Sequence, residues 1–137
     1  MRILLFFCLT INIFLGLQNG GNAQDVIKSA PEITFKFISH DFGEVLQGEA
    51  KTIEFQFQNT GAEPLIISNV LTSCGCTASD WPKSPVLPGQ DATINITFDS
   101  TGKVGQQKKV ITVVSNAIEI RKQLTIEAFV LPRRSSF

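Results

Sequence analysis

From Lys51 to Gln58 the chain alternates without a break: Ile53, Phe55 and Phe57 fall on one parity, Thr52, Glu54, Gln56 and Gln58 on the other. Residues two apart share one face of a strand, whereas a helix would scatter these three apolar groups around its axis. Such a stretch predicts a strand with one face in a core and the other in water. The same period recurs. Ile33, Phe35 and Phe37 predict a first core strand, and Ala92, Ile94, Ile96 and Phe98 predict another half-buried one.

Turn chemistry separates these runs. Gln47-Gly48-Glu49, Asn59-Thr60-Gly61, residues 102–105 and Ser115-Asn116-Ala117 all carry the Gly and Asn that tight reversals favour. Pro64 opens a strand that starts with Leu65-Ile66-Ile67 and runs through Val70. Pro82, Pro85, Pro88 and Gly89 make residues 80–90 a long loop, since proline has no N–H for a ladder. Residues 110–114 are apolar on both parities, which predicts a central strand with its second face also covered. Ile118, Ile120, Leu124, Ile126, Ala128 and Val130 supply the last strand or two, and Pro132 ends the pairing. About seven short strands with no helical period predict an all-β chain, an immunoglobulin-like antiparallel β-sandwich.

The ends of the 137-residue chain read differently from its middle. Arg2, the apolar run 3–17 and the small residues Gly21-Asn22-Ala23 have the pattern of a secretory signal over residues 1–23. The run is about 15 residues long, short of the roughly 20 that span a bilayer, so an uncleaved anchor is the weaker reading and no membrane span is expected after cleavage. Cys8 lies inside that run and leaves with it. Residues 24–32 are expected as a loose lead-in, 33–130 as the domain and 131–137 as a frayed tail. The expected location is exported, periplasmic or extracellular.

The chain has 12 basic and 12 acidic residues, and losing Arg2 with the leader leaves a balance of about minus one. That balance argues against nucleic acid as a partner, because phosphate binding needs a basic surplus on one face.

With Cys8 gone, Cys74 and Cys76 are the remaining thiols, set in Ser73-Cys74-Gly75-Cys76-Thr77. Four readings stay open for them. A disulfide would close a ring around Gly75, with α-carbons about 6.6 Å apart in a straight strand, near the upper limit for the bond. So small a loop contributes only about 1.6 kcal/mol by chain entropy. The pair could instead bind a soft metal, Cu(I) being the fitting ion for two thiolates. It could also bond to a partner, or simply fill space near Trp81, which is placed to cover it. A third metal ligand is scarce, because His40 is the sole histidine and Met1 the sole methionine.

His40-Asp41-Phe42-Gly43 offers a second motif. Adjacent strand residues point to opposite faces, so His40 and Asp41 cannot orient each other as a catalytic pair. Asp41 and Gly43 are expected to shape a turn while Phe42 enters the core. Asp-Phe-Gly also occurs in protein kinases, but neither a glycine-rich loop nor a catalytic loop accompanies it here. Asn95-Ile96-Thr97 fits the glycosylation pattern with Asn95 outward by parity, but the expected reading is an exposed strand asparagine.

The order His40-Asp41-Phe42-Gly43, Gly48, Phe55-Gln56-Phe57, Asn59-Thr60-Gly61, Pro64-Leu65, Ser73-Cys74-Gly75-Cys76-Thr77, Pro88-Gly89 and Ser115-Asn116 resembles the bacterial secreted family called domain of unknown function 1573, over residues 33–130. The resemblance implies an immunoglobulin-like sandwich akin to those of major sperm protein and hydin, exported to the bacterial envelope. It implies no activity. The expected role is a non-enzymatic interaction or structural module with an envelope protein partner. The alternative is a Cu(I) or redox carrier that uses Cys74 and Cys76, and an enzyme with carboxylates or thiols on loops is a third reading. No other cofactor is expected, and the oligomeric state stays open.

Overall fold

A computed structural model describes residues 29–75 and 77–134. The leader, Cys8, residues 24–28, Cys76 and residues 135–137 lie outside the described residues. Eight strands follow in order: β1 (Ile33–Phe35), β2 (Ser39–Leu46), β3 (Ala50–Asn59), β4 (Ile67–Thr72), β5 (Thr77–Asp80), β6 (Asp91–Asp99), β7 (Gly105–Ser115) and β8 (Arg121–Leu131). They form two four-stranded sheets, β1-β3-β6-β5 and β2-β8-β7-β4.

The inner faces follow the alternation. Phe55 and Phe57 of β3, Ile94, Ile96 and Phe98 of β6, Ile111 and Val113 of β7, and Leu124, Ile126 and Val130 of β8 are all buried. Full burial of side chains this size stabilises the fold by about 1.5–3 kcal/mol each. The β3 residues Thr52, Glu54, Gln56 and Gln58 face water, as their parity requires.

One pair departs from the antiparallel expectation: β2 runs parallel to β8. The first strand is split. β1 pairs with β3 in one sheet, and the chain then crosses at residues 36–38 to join the other sheet as β2. Phe37 falls in that crossing, so it is 40% exposed rather than a core residue, although its ring still rests 5.3 Å from that of Phe55.

Other expectations also change. The face of residues 110, 112 and 114 is half-buried with no second layer over it among the described residues, because β7 gains cover from its neighbours in the sheet instead. Ile118 and Ile120 are exposed in the turn before β8, where the alternation has not yet begun. Leu65 precedes β4 and makes an isolated bridge to Val86, which brings the middle of the proline-rich loop into the core. Residues 29–32 are tied down, not loose. Ala30, Pro31 and Glu32 carbonyls accept from the N–H groups of Ala62, Ile118 and Thr60.

Candidate functional site

The Asp41-Phe42-Gly43 string builds a bulge in β2. Asp41 pairs with Glu127 and Glu44 with Phe129, so Phe42 and Gly43 together oppose one residue of β8. Gly43 takes φ +69°, a left-handed conformation that glycine adopts at little cost. Its N–H donates to Asp41 Oδ1 at 2.8 Å, which holds the bulge closed. The extra residue resets the alternation, so Phe42 packs against the core and Val45 is buried as well. His40 lies edge-on to the Phe42 ring, centroids 4.7 Å apart. Asp41 thus orients its own backbone and His40 packs on an aromatic, which leaves no acid–base pair.

The Ser73–Thr77 string makes the crossing from β4 to β5. Ser73 N–H donates to Val110 O at 3.1 Å, and Val110 N–H donates to Ser73 Oγ at 3.2 Å, so the motif's first residue extends the β4–β7 ladder. Thr72 Oγ1 donates to Cys74 O at 3.1 Å, and Thr77 N–H reaches the same carbonyl at 3.4 Å. Cys74 Sγ lies 4.0 Å from the Oγ1 of buried Thr77. Cys74 is disulfide-bonded; its partner sulfur belongs to a cysteine outside the described residues. Gly75 at the tip is exposed.

Trp81 packs against the hydrophobic core, and the Lys83 ammonium sits 2.9 Å from its ring centroid. The two motifs do not meet. β2 and β4 are opposite edges of one sheet with β8 and β7 between them, so three interstrand spacings, about 14 Å, separate His40 from the Cys74 turn. No group of three or more His, Cys, Asp or Glu side chains converges among the described residues. Asn95 does lie on the outer face of β6, between Glu54 and Asp80, but half-covered in a central strand.

The residue that sequence reasoning passed over is Asn59. It is fully buried, and its Nδ2 donates to Glu63 O at 2.7 Å and Val86 O at 2.9 Å. Its Oδ1 accepts from the N–H groups of Gly61 at 3.0 Å and Glu32 at 3.4 Å. The Asn-x-Gly spacing at the end of a strand is the signal that could have revealed this side-chain turn.

Two sheets in the orders β1-β3-β6-β5 and β2-β8-β7-β4, with a split first strand, define an immunoglobulin-like β-sandwich domain. The chain belongs to the family described as Protein of unknown function (DUF1573), which matches residues 33–130. No curated protein matches its sequence. In fold it is similar to a protein of unknown function from Porphyromonas gingivalis W83, with TM-score 0.65, 17% identity and coverage of 75% of this chain and 48% of that one. It is also similar to the ASH / PapD-like domain 7 of human CEP192, with TM-score 0.63, 8% identity and coverage of 77% and 89%. A third likeness is to the CsuC–CsuE chaperone–tip adhesion subunit pre-assembly complex of Acinetobacter baumannii, with TM-score 0.53, 12% identity and coverage of 72% and 52%. This chain therefore spans about half the length of the Porphyromonas structure. Among its described residues no helix is long and apolar enough to cross a membrane.

Proposed function

We propose that the chain is an exported, non-enzymatic module of the bacterial envelope that binds another protein. The observation that carries this reading is how the motif side chains are spent. Asp41 caps the Gly43 N–H, His40 packs on Phe42, and Ser73 bonds to Val110. These residues shape backbone, so the surfaces left for function are the sheet edges and faces, through which sandwich domains commonly recognise extended partners. The leader-like residues 1–23 support export. The disulfide at Cys74 favours this reading over a Cu(I) carrier, since soft-metal binding there needs two thiolates.

The test is crosslinking of the full chain in its native envelope, followed by mass spectrometry. A defined partner recovered at near-stoichiometric yield is the expected result. A chain that stays monomeric and uncrosslinked under conditions that trap known envelope complexes overturns the reading.

A further inference from the structure

β7 is eleven residues long, but β4 covers only part of it. Their ladder ends at Thr72 opposite Ile111, and Ser73 adds one more step at Val110 before the chain crosses to the other sheet. Residues 105–109 pair with β8 on one side and with no described residue on the other.

The direction of the main-chain groups follows from their neighbours. Val110 bonds to Ser73, away from β8, and its opposite residue Thr125 donates its N–H to Ile38 O on the far side at 2.9 Å. Val110 and Thr125 therefore form a pair without mutual bonds. Alternation makes Lys108 with Glu127, and Gln106 with Phe129, the same kind of pair. The N–H and C=O groups of Gln106 and Lys108 thus face the space that a longer β4 would fill.

The other edges are guarded. β1 and β5 have three and four residues. β2 carries the bulge whose Gly43 N–H Asp41 caps. β4 has a register shift between Ile67 and Asn69, with Val70 N–H bonded to Asn69 Oδ1 at 2.8 Å. Short strands and bulges are how sheets block stray pairing. The open part of β7 has neither. Its distinguishing group is Lys109, which shares the inward parity of Ile111 and Val113 and is half-buried. Lys108, on the outer face, lies 3.3 Å from Glu127, whereas Lys109 has no acid partner among the described residues.

We propose that residues 105–109 accept an extended segment of another envelope protein, added beside β7 in line with β4, and that this segment carries Asp or Glu on the face turned toward Lys109. The main-chain groups of Gln106 and Lys108 set its register, and the unpaired ammonium selects its charge. A second copy of residues 105–109 carries two lysines and no acid, so it offers Lys109 no partner of opposite charge. The inference rests on the protein-binding reading and names the site and partner chemistry for it.

Amide hydrogen exchange on the ¹⁵N-labelled full chain tests it, with two synthetic ten-residue peptides as probes, one alternating threonine with glutamate and one alternating threonine with lysine. In the free protein the Gln106 and Lys108 amides exchange at least about tenfold faster than those of Ile111 and Val113. The glutamate peptide slows exchange at Gln106 and Lys108 at least about tenfold and the lysine peptide does not. Lys108→Pro removes a donor from the outside of the sheet, where proline is tolerated, and abolishes the effect. Lys109→Glu reverses the peptide preference.

The proposal is overturned by no slowing with either peptide at saturation, by equal slowing with both, by slowing that survives in Lys108→Pro, or by a free chain that is dimeric with these amides already protected. Envelope crosslinking separates the two claims. A Lys108→Pro chain that captures the same partner as the parent sinks this site and leaves the protein-binding reading standing. Peptide protection at β7 without any envelope partner does the reverse.

Discussion

The Asn59 side chain donates to the Val86 carbonyl at 2.9 Å across 27 residues of sequence, and so ties the end of β3 to the proline-rich loop between β5 and β6. The backbone reinforces the same join, with Asn59 N–H donating to Gln90 O and Gly89 N–H donating to Asn59 O. One buried amide thereby holds together the β3 end, the chain before β1 and the β5–β6 loop.

Asn59→Ala is expected to cost about 1–3 kcal/mol, because it removes the buried bond to Val86 O and leaves the part-buried Glu63 O and Gly61 N–H without their partner. Asn59→Asp should be at least as damaging at neutral pH, since a carboxylate would face two carbonyl oxygens. Urea unfolding of each variant checks this. An Asn59→Ala loss under about 0.5 kcal/mol would show that the join is redundant.

Phe55 is the largest group at the middle of β3 and is fully buried. Phe55→Ala should lower stability by about 3–5 kcal/mol through lost transfer energy and the cavity left behind. Equilibrium denaturation measures the change directly.

Two glycines should respond differently to the same substitution. A Cβ on Gly61 would run into Ala30 O and lie 2.5 Å from Glu32 N, both backbone atoms that cannot swing aside. Gly61→Ala should therefore cost about 1–3 kcal/mol and loosen the segment before β1. Gly75, at the tip of the β4–β5 crossing, has open space around it, and Gly75→Ala should stay within about 0.5 kcal/mol of the parent. Thermal melts compare the two.

If Cys76 is the cysteine bonded to Cys74, blocking the free thiols first, then reducing and alkylating with a second label, should place both second labels on the one peptide that spans residues 74–76. The Cys74→Ser/Cys76→Ser chain should then lose no more than about 1.6 kcal/mol, the chain-entropy worth of so short a loop. A label on Cys8 in place of Cys76, or a far larger loss, would show that the bond is made elsewhere.

The Thr101 hydroxyl and N–H beside Asp99 hold its carboxyl below its ordinary value of 3.8. A depressed folded value means that this interaction contributes above 3.8 and is lost as the pH falls through the lower, folded value. NMR titration of the Asp99 carboxyl in the parent and in Thr101→Val should show the midpoint rise toward 3.8 when the hydroxyl is removed. An unchanged midpoint would assign the shift to the backbone N–H alone.

Much of the fold is legible in the chain because strand alternation is a local property. Phe55 and Phe57 must share a face whatever pairs with them, and β6 and β8 follow the same rule. The β2 bulge was half legible: Asp41 and Gly43 read as a turn, and the bend they make does send Phe42 inward. The β4–β5 crossing read as a motif without a geometry, since nothing local to Ser73 says that its hydroxyl will meet Val110.

Local pattern alone yields the core faces of β3, β6 and β8, most of the turns and the sandwich class, because those depend on neighbours one to four residues apart. Packing over long sequence distances sets the split of the first strand into β1 and β2, the parallel seat of β2 on β8, the burial of Asn59 and the uncovered half of β7. Each depends on which distant backbone groups remain to be hydrogen-bonded once the sheets have packed, and no run of adjacent residues carries that information.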